Sequence, residues 1–230
     1  MITSHHNPLL KDIRRLGARR ERGRFLAEGE DLLAAAADAG WNPVHLLRAG
    51  VEVSEDALAK VSTLGSGTRA LGVFEERWLA APAGPVCVAL WGIKDPGNVG
   101  TVLRAAHAFG ADCVALGPHT ADPYNPKAVR ASMGAIFVVP VARVESVAQL
   151  PGETVALDAR RGAPLRGPAA GEVTIVVGAE RAGLPEDVLA ACDRAAHIPI
   201  ANESLNAAMA ATLALYELTR VTPQNPETST

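Results

Sequence analysis

The 230-residue sequence has few aromatic residues and contains no long apolar run. Phe, Trp and Tyr together make up 4% of the chain, so we expect a core built mainly from Ala, Val and Leu. No stretch of about 18 apolar residues exists, which excludes a membrane-spanning helix. The N-terminus lacks the apolar core of a secretion signal, and we therefore expect a cytoplasmic protein.

Cysteines and several well-known motifs are also scarce. Cys87, Cys113 and Cys192 lie far apart and form no Cys-x-x-Cys pair, which argues against a disulfide framework and against a metal site. The sequence has no Gly-x-Gly-x-x-Gly fingerprint, no P-loop and no Gly-x-Ser-x-Gly elbow. These absences disfavour dehydrogenases, nucleotide hydrolases and serine hydrolases.

The net charge of −3 is unusual for a nucleic-acid-binding protein, but the average conceals an asymmetry. Residues 1–24 hold seven basic and two acidic side chains, a net charge of +5, which leaves −8 for the rest of the chain. Apolar residues recur at helical spacing over residues 9–22, and basic side chains follow another face. A basic helix of this kind indicates an anionic partner, although a solvated surface helix is the simpler alternative.

The pattern of elements predicts two units. Residues 1–78 are predicted to form a small α/β domain, residues 79–84 a linker rich in Pro, Gly and Ala, and residues 223–230 a flexible tail. Residues 85–222 alternate apolar strands with amphipathic helices, which predicts an α/β domain with a mostly parallel sheet. The strands expected in this second unit cover residues 86–91, 113–116, 136–139, 155–157, 173–177 and 196–198.

Three loops follow predicted strands, at the sheet edge where ligands bind in parallel α/β proteins. Residues 94–100 hold Asn98 and lead into a helix with Arg104 on its polar side, where a solvated arginine is the simpler interpretation. Residues 177–185 hold two glycines and Glu180, which could equally be a surface acid. Residues 197–206 contain Ser204, which we expect to cap the last helix. Asn206 would then stand in the first turn of this helix, and because asparagine is a poor helix former, a ligand contact is the alternative reason for its presence.

Together the three loops resemble the three motifs of the SpoU/TrmH branch of the SPOUT methyltransferases. The matching segments are Asp95-Pro96-Gly97-Asn98-Val99-Gly100 through Arg104, Gly178-Ala179-Glu180 through Gly183-Leu184, and Ile198-Pro199-Ile200 through Ser204-Leu205-Asn206. Two earlier segments, residues 7–11 and 22–29, resemble the RNA-binding domain that often precedes this catalytic domain.

The resemblance implies a trefoil knot in the C-terminal half, S-adenosylmethionine as the cofactor, and a homodimer with its active site at the subunit interface. It implies methylation of a ribose 2′-hydroxyl in RNA, with catalytic residues Arg104, Asn98, Glu180, Ser204 and Asn206. The residues expected to bind the cofactor are Leu157, Gly178, Ile198 and Leu205. The basic residues expected to bind RNA are Lys11, Arg14, Arg15, Arg19 and Arg22.

The N-terminal unit favours rRNA as the substrate, because the simpler tRNA enzymes of this branch lack it. Three alternatives stay open at this point: a tRNA ribose methyltransferase, a catalytically weak RNA-binding module, and an unrelated α/β nucleotide-binding enzyme. Because an arginine does not lose its proton in proteins, we expect Arg104 to grip a phosphate and stabilise the developing alkoxide. The phosphate or a water would then accept the proton.

Overall fold

A computed structural model gives the architecture and describes residues 1–4, 6–18, 23–64, 67–201 and 205–220. The helices are α1 (Pro8–Gly17), α2 (Glu30–Asp38), α3 (Glu55–Ala59), α4 (Pro96–Ala108), α5 (Pro126–Ala131), α6 (Glu186–Ala191) and α7 (Ala207–Thr219). The strands are β1 (Arg24–Glu28), β2 (His45–Arg48), β3 (Ala70–Glu75), β4 (Val86–Leu90), β5 (Cys113–Leu116), β6 (Val141–Arg143), β7 (Glu153–Leu157), β8 (Ala163–Pro164), β9 (Val173–Val177) and β10 (Arg194–His197). None of the described helices is long and apolar enough to cross a membrane.

The strands form two sheets that follow one another along the chain. The first has three antiparallel strands in the order β1-β3-β2. The second has seven strands in the order β6-β5-β4-β9-β7-β10-β8, and all of its pairings are parallel. This confirms the predicted mixed α/β fold with a parallel sheet in the C-terminal half; the knot stays a prediction.

Two predicted elements differ from the structure. The strand expected at residues 136–139 is wrong: the chain forms a short 3-10 helix, Ala135–Phe137, and the strand comes after Pro140. Met133 and Gly134 both have positive φ, 49° and 92°, so the backbone turns here instead of extending. The first helix ends at Gly17, earlier than the predicted 22, and residues 19–22 lie outside the described residues.

The two units share one aromatic cluster, which holds six of the nine aromatic residues of the chain. Phe25 packs on Tyr124 with ring centroids 4.7 Å apart, and Trp41 packs edge-on against Phe137 at 5.3 Å. The Trp41 Nε1 also donates a hydrogen bond to the Phe137 carbonyl at 2.8 Å. Phe74 and Trp78 complete the cluster, and Trp78 packs edge-on against Tyr124 at 5.2 Å. The first sheet is thus packed directly on the second unit.

The segment predicted as a linker is held against the second sheet. The backbone nitrogen of Leu79 donates to the Val141 carbonyl at 2.9 Å, and Leu79 pairs with Ala142 as a parallel bridge. The domain boundaries at residues 78 and 85 stay a prediction.

Candidate active site

The first predicted loop is shaped by the start of α4. Asp95 caps the helix, its side chain accepting from the Gly97 backbone nitrogen at 2.9 Å, and Pro96 occupies the first turn, where a missing N–H costs nothing. The Lys127 ammonium lies 2.7 Å from Asp95 Oδ1 and lowers the pKa of that carboxyl below its usual range. These contacts hold Asn98 in the first turn of the helix.

The third predicted loop leads into α7, and Asn206 caps that helix. Its Oδ1 accepts from the backbone nitrogens of Ala208 at 2.9 Å and Met209 at 3.3 Å. The cap predicted at Ser204 is therefore wrong, because the helix begins at Ala207 rather than Leu205. Ser204 itself lies outside the described residues.

The structure brings together three of the predicted catalytic side chains, from three distant parts of the sequence. Asn98 Nδ2 donates a hydrogen bond to Glu180 Oε1. Asn206 Nδ2 donates to Asn98 Oδ1 at 3.2 Å and lies 3.5 Å from Glu180 Oε1. Glu180 accepts from Asn98, and Asn98 accepts from Asn206, so these hydrogen bonds fix the orientation of all three side chains. We call these three residues the amide–carboxylate cluster.

A cavity of about 500 Å³ adjoins this cluster. It lies where β7, β9 and β10 end, which is the sheet edge that the sequence predicted. All four residues predicted to bind the cofactor line it, and so does Glu180, which belongs to both the cavity and the cluster. The four are Leu157, Gly178, Ile198 and Leu205.

One wall of the cavity is a loop that closes on itself. The Gly183 backbone nitrogen donates to the Ala179 carbonyl at 2.8 Å, and Gly183 has a φ of +66°. A Cβ on Gly178 would lie 2.5 Å from both the Gly183 carbonyl oxygen and the Leu184 nitrogen, so a larger residue at 178 could not take this conformation. The two glycines of the second predicted loop are therefore explained by its closure.

Charged residues that the sequence reasoning missed also line the cavity. Asp158 follows the end of β7, and its Oδ1 accepts from the backbone nitrogens of Arg160 at 2.8 Å and Arg161 at 3.0 Å. Arg161 then forms a two-pronged ion pair with Glu186, at 2.8 and 2.6 Å, which lowers the pKa of Glu186. Since Asp158 directly follows a predicted strand, its position was the signal that could have found it.

Arg104 stands apart from the cluster. It is exposed on α4, six residues beyond Asn98 and so about 9 Å farther along the helix axis. Its side chain makes no hydrogen bond and no ion pair with any described residue. Its guanidinium is thus available to an anion.

The predicted RNA-binding side chains are described only in part. Lys11, Arg14 and Arg15 are exposed on α1, opposite the buried face that includes Leu10 and Ile13. Arg19 and Arg22 lie outside the described residues.

Comparison with known proteins places these features in a family. The sequence model of the SpoU rRNA Methylase family matches residues 85–216. The chain is 31% identical to the 23S rRNA (guanosine(2553)-2′-O)-methyltransferase RlmP of Bacillus subtilis, over 94% of this chain and 98% of that protein.

Solved structures give the same result. The AdoMet-bound rRNA methyltransferase of Sinorhizobium meliloti matches with a TM-score of 0.84 and 31% identity, over 94% of this chain and 95% of that one. The SpoU methyltransferase AviRb of Streptomyces viridochromogenes, in complex with AdoMet, matches with a TM-score of 0.80 and 27% identity, over 92% and 97%. The chain therefore belongs to the SpoU rRNA methylase family, as its three motifs predicted.

Proposed function

We propose that this protein transfers the methyl group of S-adenosylmethionine to the 2′-hydroxyl of a ribose in ribosomal RNA. As a SpoU family member it is an RNA methyltransferase that uses S-adenosylmethionine. The observation that carries the proposal is the position of Glu180, which lines the cavity and also joins Asn98 and Asn206. A molecule in the cavity would therefore lie against the amide–carboxylate cluster.

The cavity suits S-adenosylmethionine in size and in chemistry. Its volume of about 500 Å³ lies in the usual range for small-molecule sites. Leu157, Ile198 and Leu205 offer an apolar wall for the adenine ring, while two carboxylates and two guanidinium groups can meet the charged amino-acid end. When bound, the cofactor supplies an electrophilic methyl group on its sulfonium.

We assign Arg104 the role of binding and stabilising negative charge on the RNA substrate. A guanidinium stays protonated at any working pH, so it cannot take the proton of the ribose hydroxyl. It can instead hold the neighbouring phosphate with two parallel hydrogen bonds and stabilise negative charge that develops on the 2′-oxygen. The proton then passes to the phosphate or to a water.

The amide–carboxylate cluster positions the nucleoside. Asn98 and Asn206 are oriented by Glu180 before any ligand arrives, so they lose little entropy when they contact the ribose. Because Ser204 belongs to the third motif, we propose that it also helps to position the nucleoside.

We favour rRNA over tRNA on two grounds, and with an rRNA substrate we propose a cytoplasmic location. The Bacillus subtilis relative, named for 23S rRNA, matches over 94% of this chain, N-terminal unit included. That unit carries the exposed basic helix α1. The test is to offer the protein equal amounts of rRNA and tRNA from cells that lack its gene, with methyl-tritiated S-adenosylmethionine. We expect label in rRNA; label confined to tRNA would refute this choice of substrate.

We also propose a homodimer that forms through α7. Met209, Leu213 and Tyr216 lie on one face of this helix at helical spacing and are 56%, 43% and 55% exposed. Tyr216 also packs against Phe109, the residue after the end of α4, with ring centroids 6.0 Å apart, so the apolar face of α7 extends to the end of α4. Since α4 carries Arg104, a partner seated here would lie beside the active site. Leu213→Asp should halve the mass measured by light scattering, and an unchanged mass would contradict this interface.

A further inference from the structure

Thr63 forms a junction between the basic helix α1 and the helix α5 of the second unit. Its Cγ2 lies 3.0 Å from the position that a Cβ on Gly17 would take, so the end of α1 is in direct contact with it. Its hydroxyl accepts a hydrogen bond from Arg130 Nη1 of α5 at 2.8 Å. Thr63 therefore connects the two units at their surface.

Glu28 holds this junction in place. Only 5% of this residue is exposed, and its carboxylate accepts from the Thr63 backbone nitrogen at 3.0 Å and from the hydroxyls of Ser62 and Thr63. These donors satisfy the buried charge without a cation. Arg130 contacts the Thr63 hydroxyl and not the carboxylate, so its positive charge is not neutralised there.

The other end of α5 reaches the active-site loop. Lys127, one helical turn before Arg130, forms the 2.7 Å ion pair with Asp95, the cap of α4, and its side chain is 59% exposed. Residues three apart on a helix share a face, with Cβ atoms about 5–6 Å from each other. Lys94, beside Asp95, is exposed and has no hydrogen-bond or ion-pair partner among the described residues.

We propose that α5 carries the RNA backbone from the basic helix α1 to the active site, with Lys127 and Arg130 contacting neighbouring phosphates. The proposal rests on the proposed function, because it names the route of the same substrate. No described residue neutralises the positive charge of Arg130 or Lys94, and Lys127 has one ion-pair partner, Asp95. These positive charges attract a polyanion along this line. A phosphate at Lys127 would share the ammonium with Asp95.

The test measures how RNA affinity depends on salt. The full-length protein is titrated with a fluorescein-labelled 20-nucleotide polyuridylate RNA at several concentrations of potassium chloride. Each lost phosphate contact on a single strand lowers the slope of log affinity against log salt by about 0.7. We expect this decrease for Lys127→Gln and for Arg130→Gln, whereas Arg130→Lys, which keeps the charge, should retain most of the slope.

Arg166→Gln is the matched control, because Arg166 is exposed and lies next to Gly167, whose carbonyl accepts from Arg220 at the far end of α7. Wild-type slopes in Lys127→Gln and Arg130→Gln, or an equal decrease in the control, would overturn the proposal. Calorimetry with S-adenosylmethionine should give wild-type affinity for Arg130→Gln, Arg130→Lys and Arg166→Gln. If the wild-type protein methylates rRNA while the slopes do not change, only the α5 route fails; if it methylates no RNA, the proposed function fails.

Discussion

The substitution Gly178→Ala tests whether the closed loop at residues 178–183 forms the wall of the cofactor cavity. The new Cβ would lie 2.5 Å from the Gly183 oxygen and the Leu184 nitrogen, where ordinary contacts are 3.4–4 Å. Both neighbours are backbone atoms, so they cannot move aside as the tip of a side chain would. The loop has to shift by roughly 1 Å, the difference between these distances.

This shift has a predictable cost for binding. Overpacking by one methyl group typically costs about 1–3 kcal/mol. If the cavity keeps its bound shape only when the loop is undistorted, that cost appears as about 5- to 150-fold weaker binding of S-adenosylmethionine. Isothermal calorimetry measures the dissociation constant directly, and circular dichroism shows whether the variant is folded.

Gly171→Ala is the matched control. Gly171 is exposed, and a Cβ at this position would meet no atom of a described residue within 4 Å. We expect the control to bind the cofactor with wild-type affinity. If folded Gly178→Ala also binds within twofold of the wild type, the loop does not form the cofactor site and the reasoning is refuted.

Three further predictions concern the cluster, the interface between units and the loop before α4. Glu180→Ala should lower the turnover number about 10- to 100-fold while RNA affinity stays unchanged, because the two asparagines lose the group that orients them. Tyr124→Phe should lower the free energy of unfolding in urea by about 1–3 kcal/mol, because the Arg77 backbone nitrogen loses the hydroxyl that accepts its hydrogen bond at 3.1 Å. Lys127→Met should raise the pKa of Asp95 towards its ordinary value, as followed by NMR. Since the folded-state pKa of Asp95 is lowered, the stability it contributes is present above the unfolded-state pKa and lost as the pH falls through the folded-state value. The variant should lack the part of this increment that Lys127 provides and keep the part that comes from the Gly97 backbone nitrogen.

Local sequence patterns predicted many elements, because continuous apolar runs and helix signals are local. The strands at Cys113–Leu116 and Val173–Val177 have the predicted bounds. The strand predicted from the apolar run at residues 136–139 was wrong, because periodicity does not separate a short buried strand from a buried helical turn. Pro140 and the positive φ of Gly134 decide this case, and only the first of these is visible in the sequence.

Two signals predicted the site: the three motifs, and the rule that ligands bind where the strands of a parallel sheet end. That rule placed Gly178 and Ile198 at one edge, and the structure puts both in one cavity. The cap at Asn206 was missed because helix starts from sequence are uncertain by a few residues. The ion pair between Arg161 and Glu186 joins the loop after β7 to the start of α6, 25 residues farther along the chain, and no local pattern predicts such a contact.

The aromatic cluster between the units shows what composition cannot reveal. A content of 4% aromatic residues predicted an aliphatic core, and most of the second sheet is indeed packed by Val, Ala and Leu. The scarce rings are instead concentrated where β1, β3 and α2 meet the second unit, with Phe25 among Trp41, Phe74, Tyr124 and Phe137. Tertiary packing concentrates these large side chains at one interface, and the amino-acid composition does not reveal where in the fold they lie.

The central claim is that this chain methylates a ribose in rRNA with Arg104 acting on the substrate and not on the cofactor. The most direct measurement compares wild type and Arg104→Ala in single-turnover methylation of rRNA from cells without the gene, with the 2′-O-methyl position mapped. We predict one modified ribose for the wild type and a rate about 100- to 1,000-fold lower for the variant, with cofactor affinity within a few-fold. Near-wild-type transfer by the variant, or no 2′-O-methyl group from the wild type, would contradict the account.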